Sequence, residues 1–574
     1  MSRKSRTAAV GALLAVTLVA PVAHADWNVG YAYKMHFPQL PDTIGYDVNF
    51  TAPWSVADDW RCSDTGPVSD IHFWFSSRGD SLNLQLPLTV QMTNIRVSIY
   101  SDVPQSPNDP FSHPGTLLWQ RDFAPDQVKI RQTGKGSQYW YDPANGAVVQ
   151  NDHHKIYQCN ITKITDPFYQ KRGHIYWLVV SISTPAPEYQ LGWKSSDQSQ
   201  YPPGYTGLSF LDDAVWSPPA GGWHDIHYPT GPQQGKSMDM AFVITGFRKV
   251  FNHKMHFPQY PDPTGADVNF TYPQVAADDW TCSETGPVED VHFWFSAQDD
   301  WINPQLPLIQ QIYGIHLSIH ADIPAGPGNP YSKPGPSLWE LNLASDDPHV
   351  QFSKCYTEGQ DWMDPAQNGY LIKDHRIFYR CDIDSLPGAV FTQQKGTIYW
   401  LDVSLTAQLP VGWKTADVDL YPAPYTGMHY LDDAVWAQNL TVPPIPWLDL
   451  IWPAVAPRAG ESIDLSFVIT RKPDPTGAGE APKQYNLEQN YPNPFNPSTT
   501  IRYSLPEAAN VELAIFGVDG ALVRVLDTGM KPAGVFEAHW DGRDRRGHAV
   551  ASGVYFYRLR AGTFTETRKM VLMK

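Results

Sequence analysis

Residue types that do chemistry alternate along one short stretch, and the stretch occurs twice. Asp70, His72 and Trp74 stand at every second position, and Asp290, His292 and Trp294 repeat them 220 residues later. Each run is preceded by an acidic pair and an indole, Asp58-Asp59-Trp60 and Asp278-Asp279-Trp280. Alternate residues of a strand share one face, so acid, imidazole and indole stand in a row. Such a row suits a sugar: the indole stacks on the ring's apolar face while acid and imidazole bond its hydroxyls. It equally suits an interior, with the indole packed under a second layer and Asp and His bonded to turn backbone. Duplication preserves a scaffold as readily as a site.

A second acidic pair, Asp212-Asp213 and Asp432-Asp433, precedes Ala-Val-Trp in both copies. Neighbouring strand residues point to opposite faces, so catalysis would need carboxylates from distant segments, as in a glycosidase. The same acids allow structural calcium, although no D-x-D-x-D-G loop is present; no other cofactor is implied. His153-His154 is not repeated as a pair, the matching place reading Asp374-His375. The chain lacks H-E-x-x-H, G-x-S-x-G, a P-loop and a dinucleotide fingerprint. Asn49 and Asn269, in N-x-T context, read as strand positions without a glycan.

Four of the five cysteines recur in place, Cys62 with Cys282 and Cys159 with Cys381. In an oxidising compartment the recurrence implies one bridge per copy, Cys62–Cys159 and Cys282–Cys381, with Cys355 the odd one out. No CxxC is present, which argues against zinc and thioredoxin chemistry.

These residues must be positioned by strands. Ile71, Phe73 and Phe75 occupy the face opposite the chemical row and are β-branched or aromatic, the signature of a half-buried strand. The correspondence extends from Lys34-Met35-His36-Phe37-Pro38-Gln39 and Asp47-Val48-Asn49 through Ile175-Tyr176-Trp177-Leu178 and Gly192-Trp193-Lys194 to Met240–Thr245. A period this long is a duplicated domain, each copy large enough for its own core. Proline (52), glycine (41) and 13% aromatics fit short strands between structured turns. The expected fold is all-β: two tandem sandwich or jelly-roll modules, 26–246 and 247–470. Pro443 to Gly460 reads as an insertion in the second copy that covers an edge or forms a contact patch.

Arg3, Lys4 and Arg6, an apolar run from Ala8 to Ala20 and Ala23-His24-Ala25 form a signal peptide over 1–25. No later stretch is long and apolar enough to span a membrane as a helix. The net charge of −17 argues against nucleic acid or anionic membrane as partner. The Pro/Gly-rich segment 471–484 reads as a linker, and 485–574 as a small immunoglobulin-like sandwich.

The last segment carries Asn490-Tyr491-Pro492-Asn493-Pro494-Phe495-Asn496-Pro497, Trp540-Asp541-Gly542-Arg543-Asp544 and Ala551-Ser552-Gly553-Val554-Tyr555-Phe556. It resembles the FlgD-like, C-terminal type A sorting domain of the bacterial type IX secretion system. The resemblance implies recognition by secretion machinery at the outer membrane, then release or attachment at the cell surface. The repeats are similar to an uncharacterised module of exported bacterial proteins. The expected function is a secreted or cell-surface, non-enzymatic protein whose modules bind a glycan or other extracellular ligand or form a scaffold. The competing expectation is a secreted carbohydrate-active hydrolase with paired carboxylates.

Overall fold

The computed structural model describes Trp27, 33–201, 214–219, 221–246, 253–303, 305–326, 331–388, 390–421, 434–439, 446–470, 485–487, 490, 493, 495, 499–507, 509–531, 534–546 and 548–573. The signal segment, the linker and Asp212, Asp213, Asp432 and Asp433 lie outside these residues. Strands dominate, and the only helical elements among the described residues are three-residue 3-10 turns. The chain is an all-β protein falling into two compact units, Met1–Phe247 and Arg248–Lys574.

The first unit holds two six-stranded sheets. One runs Leu191–Lys194, Tyr46–Asn49, Lys129–Asp142, Ala147–Ile161, Asp70–Ser77, Phe242–Thr245. Leu191–Lys194 also pairs with Asp70–Ser77, which curls this sheet back on itself. The other runs His224–Asp225, Val215–Ser217, Ser55–Arg61, Ile175–Ser183, Asn94–Val103, His113–Phe123. Their inner faces meet where Trp60 of the second sheet stands edge-on to Phe242 of the first at 6.3 Å.

Asp70–Ser77 is an interior strand. Phe73 lies opposite Cys159 on one side and Phe242 on the other. Ile71, Phe73 and Phe75 are buried, as the alternation requires. The opposite face is covered too: His72, Trp74 and Ser76 are buried, with Trp74 edge-on to Trp27 at 6.0 Å. The strand is thus flanked on both edges and largely roofed on both faces, Asp70 at its start being half-buried.

The second unit repeats this plan. Asp290–Ala297 pairs with Gly369–Ile383, Val411–Lys414 and Phe467–Thr470. Val275–Thr281 lies between Ile398–Ala407 and Val435–Ala437. The expected insertion is corrected here. Leu448–Asp449 pairs with Val435–Ala437 just as His224–Asp225 pairs with Val215–Ser217, so the segment is the counterpart of an edge strand of the first copy. Leu450 is fully buried and Trp447 and Trp452 nearly so, while Leu448 and Ile451 stay exposed. The described residues between 485 and 573 include a three-stranded and a four-stranded sheet. Their separate core includes Leu487, Ile501, Tyr503, Leu513, Trp540 and Leu559.

The disulfide expectation is also corrected: Cys62, Cys159, Cys282 and Cys381 are buried thiols, not bridges. Cys159 sits mid-strand in the first sheet, opposite Phe73 and Ile130. Cys62 lies just past Ser55–Arg61 of the other sheet, its Sγ 3.2 Å from the Asp64 carbonyl oxygen; Cys282 meets the Glu284 carbonyl in the same way at 3.1 Å. Burial raises the pKa of all four thiols. A buried free cysteine packs as a small hydrophobic residue, the environment in which this residue type is most often found.

Candidate functional site

The face expected to meet a ligand is largely internal in both copies, Asp70 alone among its residues being half-buried. Asp58, Asp59 and Trp60, with Asp278, Asp279 and Trp280, are fully buried. The Trp60 indole N–H donates to Gln170 Oε1 at 2.9 Å and that of Trp280 to Gln393 Oε1 at 3.0 Å. Asp58 Oδ2 accepts the Met240 N–H and Asp278 Oδ2 the Leu465 N–H, each at 2.6 Å. Burial, then the charges of Asp464 and Asp279, hold the Asp278 carboxyl well above the usual range. Asp70 and Asp290 accept the Lys163 and Ser385 N–H groups at 2.8 and 2.6 Å, fixing turns. His72 Nδ1 lies 2.7 Å from Asn160 Oδ1. Trp74 and Trp294 are about 95% covered, at 5% and 4% exposure, and only an edge of Trp74 reaches the larger cleft described below. Eleven of the twelve residues expected to meet a sugar are thus buried and Asp70 is half-buried, and hydrogen bonds of Asp58, Trp60, Asp70 and His72 and of their counterparts run to neighbouring strands and turns.

Two clusters belong to the second copy. Asp290, His292 and Asp384 bring possible metal ligands within 4.8 Å of one another. Both imidazole nitrogens are already engaged, Nδ1 at 2.6 Å from Asp382 and Nε2 at 3.0 Å from the Thr470 hydroxyl. Two carboxylates and one hydroxyl are fewer protein oxygens than the six to eight ligands calcium takes. The other cluster is Ser318, His320 and Asp402. His320 Nε2 lies 2.7 Å from both the Ser318 hydroxyl and Asp402 Oδ2, and Nδ1 lies 2.8 Å from the Gly335 carbonyl. A nucleophilic triad needs serine and carboxylate on different ring nitrogens, so this is not one.

His320 instead braces the fold through its bond to Asp402. Burial lowers its pKa, but the bond to Asp402 outweighs burial and leaves it raised. His316 and Glu340 stand close to this pair, and Trp447 packs edge-on against the ring at 6.1 Å. A raised folded pKa means the contribution is complete below the unfolded value near 6.5 and is lost as pH rises through the folded value. The stability difference between wild type and His320→Gln should therefore shrink as pH rises above 6.5. Urea unfolding across that range checks it; a constant difference would mean His320 is neutral throughout.

The most concentrated chemistry lies where sequence reading did not place it. Asp47 and Lys194 stand directly opposite on antiparallel strands. Lys194 Nζ donates to Asp47 Oδ2 at 3.1 Å and to the Tyr46 carbonyl at 3.2 Å. His153 Nε2 lies 2.9 Å from the same carboxylate oxygen, and its Nδ1 3.0 Å from Asp152 Oδ2. The second copy repeats the set: Lys414 at 3.3 Å and His375 at 2.9 Å from Asp267 Oδ2, with Asp374 3.1 Å behind His375. The side chains of Asp, His and Lys are fully buried in both. Trp140 and Trp362 stand edge-on to the two imidazoles.

The electrostatics follow from this enclosure. Burial pushes Lys194 below its ordinary value, the Asp47 charge only partly opposing it. Burial would raise Asp47 and Asp267, but the lysine and histidine bring both out low. His375 is raised to about 9, burial being outweighed by the Asp267 charge and hydrogen bond. Amine, carboxylate and imidazolium share one dry space, an arrangement suited to proton transfer. The signal was present, because Asp47 and Lys194 lie in motifs that recur, but only pairing of distant strands joins them. The histidine correspondence is corrected as well: Asp152-His153 matches Asp374-His375, so His153 is the repeated imidazole.

Clefts open on the first unit among the described residues. One of about 470 Å³ is lined by Trp27, Thr43, Trp74, Arg131 and Gln200 among others. Arg131 is held there by its bonds to Gln158 and the Trp27 carbonyl. Another, about 270 Å³, lies beside Asp42, Tyr46, Tyr139 and Tyr228, with Tyr46 and Tyr139 stacked at 5.0 Å.

A family model described as "Domain of unknown function (DUF7901)" matches residues 35–245 and again 255–470. A second, the FlgD Ig-like domain, matches 496–563. No curated protein matches the chain. Among solved structures, the chain is similar to PorZ, a bacterial surface component of the type-IX secretion system of Porphyromonas gingivalis. That likeness has 21% identity and a TM-score of 0.13 over 19% of this chain and 14% of that one. Dimeric latent PorU from the same organism aligns at 9% identity and a TM-score of 0.14, over 94% of this chain and 34% of that one. The chain thus spans a seventh and a third of those two proteins, and neither likeness carries an argument about function.

Proposed function

The chain belongs to the DUF7901 family, with two tandem copies covering most of its length, and on that premise we propose that it is an exported, non-enzymatic scaffold protein of the bacterial cell surface. One observation carries the reading. The polar residues that recur between the copies, Asp58, Trp60, His72, Asp47 and Lys194 with their counterparts, are buried and bonded to other buried side chains or to the backbone. Residues kept for braces serve a rigid module; residues kept for catalysis would converge on an open cleft.

Delivery falls to the C-terminal domain. Its FlgD Ig-like match and the Asn490–Pro497 and Trp540–Asp544 motifs support recognition by secretion machinery. A ligand such as an extracellular glycan would meet the 470 Å³ cleft of the first copy, whose volume suits a small molecule and whose Arg131 is pre-positioned. The decisive experiment deletes 485–574. The truncated chain should fold yet stay inside the cell, while the mature full-length protein should keep any glycan-array signal. Normal surface levels of the truncated chain would sink the sorting role. Hydrolysis of an array glycan would sink the non-enzymatic one.

A further inference from the structure

We propose that Lys194 and Asp47, and in the second copy Lys414 and Asp267, become joined by an isopeptide bond formed within the folded chain. The inference rests on the buried network alone and stands whether or not the protein reaches a cell surface.

Geometry supplies what the condensation needs. Each amine reaches one oxygen of the carboxylate directly across the strand pair, at 3.1 and 3.3 Å. Strand pairing holds the two groups together without a binding step, which is the largest entropic obstacle to joining them. His153 and His375 touch the same oxygen, the one that must leave, and Asp152 and Asp374 hold the far side of each ring. Water is excluded. At Gly192 a Cβ would come within 2.8 Å of Asp47 Cβ and 2.9 Å of Trp140 Cζ3; Gly412 is hemmed in by Asp267 and Trp362 in the same way. Glycine at these positions lets the indole close over the pair. Asp47 Oδ1, buried and without a hydrogen-bond partner, is better tolerated as an amide carbonyl than as half of a carboxylate.

The step balances. The neutral lysine amine attacks Cγ of the carboxylate, forming the C–N bond. The C–Oδ2 bond then breaks. The departing oxygen takes one proton from the attacking nitrogen and one from histidine Nε2, and leaves as water. An amine, a carboxylate and an imidazolium become an amide, water and a neutral imidazole, with no oxidant or outside reactant. The lowered Lys194 and raised His153 pKa values favour the starting protonation states.

Intact-mass measurement of the denatured, purified full chain tests the proposal. The mass should fall below that of the mature sequence by two waters, one per copy. Proteolysis should yield branched peptides linking Lys194 to Asp47 and Lys414 to Asp267. The double variant Asp47→Ala, Asp267→Ala should recover the full mass, and His153→Gln should retain the first water. Should the variants fail to fold, the peptide map of the wild-type chain decides alone. Full mass in the wild-type chain, or a deficit without those branched peptides, would overturn the proposal and leave an ionic brace.

Discussion

Phe73→Ala is expected to cost the first unit about 3–5 kcal/mol, the usual range for emptying a phenylalanine from a packed core. The ring is fully buried on an interior strand, with Phe50, Phe75 and Trp193 at centroid distances of 6.0–6.2 Å. Strands on both edges hold the backbone, so the walls have little freedom to collapse into the space. The second copy offers a replicate, because Phe293 sits among Phe270, Phe295 and Trp413 at 6.1–6.4 Å. Equilibrium urea unfolding measures the loss. Val90→Ala is the control, since that side chain is 54% exposed and such changes stay within about 0.5 kcal/mol. A Phe73→Ala cost no larger than the control's would mean the aromatic cluster repacks freely.

This strand also shows how far the sequence was legible. Alternation of β-branched and aromatic residues identified Asp70–Ser77 as a strand and Ile71, Phe73 and Phe75 as core, because local period is a local property. It could not show that the polar face was roofed. That depends on Trp27, Asn160 and Thr245, which arrive from remote parts of the chain. The row of acid, imidazole and indole was therefore real as a pattern, and its chemistry is spent inside the protein.

Cysteine recurrence was legible and its cause was not: a repeated small core residue and a repeated bridge leave the same trace in one sequence. The buried network was hidden for a third reason. Asp47 and Lys194 lie 147 positions apart, on strands whose pairing no sequence period announces. The C-terminal domain was the most readable part, since its Gly turns, strands and motifs are all local, and the FlgD Ig-like match falls within it.

The second large effect concerns that network. Asp47→Ala is expected to destabilise the first unit by about 3–5 kcal/mol, the range for removing one partner of a buried ion pair. The figure is mostly a penalty, for Lys194 and His153 would remain without water and without their shared carboxylate. The partner change separates penalty from attraction. Lys194→Met keeps the length of the side chain and removes its charge. In the double variant Asp47→Ala, Lys194→Met the stranded amine is gone, so a substantial part of the loss should return. The second copy should behave alike at Asp267 and Lys414, whose side chains are equally buried. Urea unfolding of the four chains in the cycle measures the coupling. Additive losses, with the double variant no better than Asp47→Ala, would mean that Lys194 finds other partners and that the network does not brace the module.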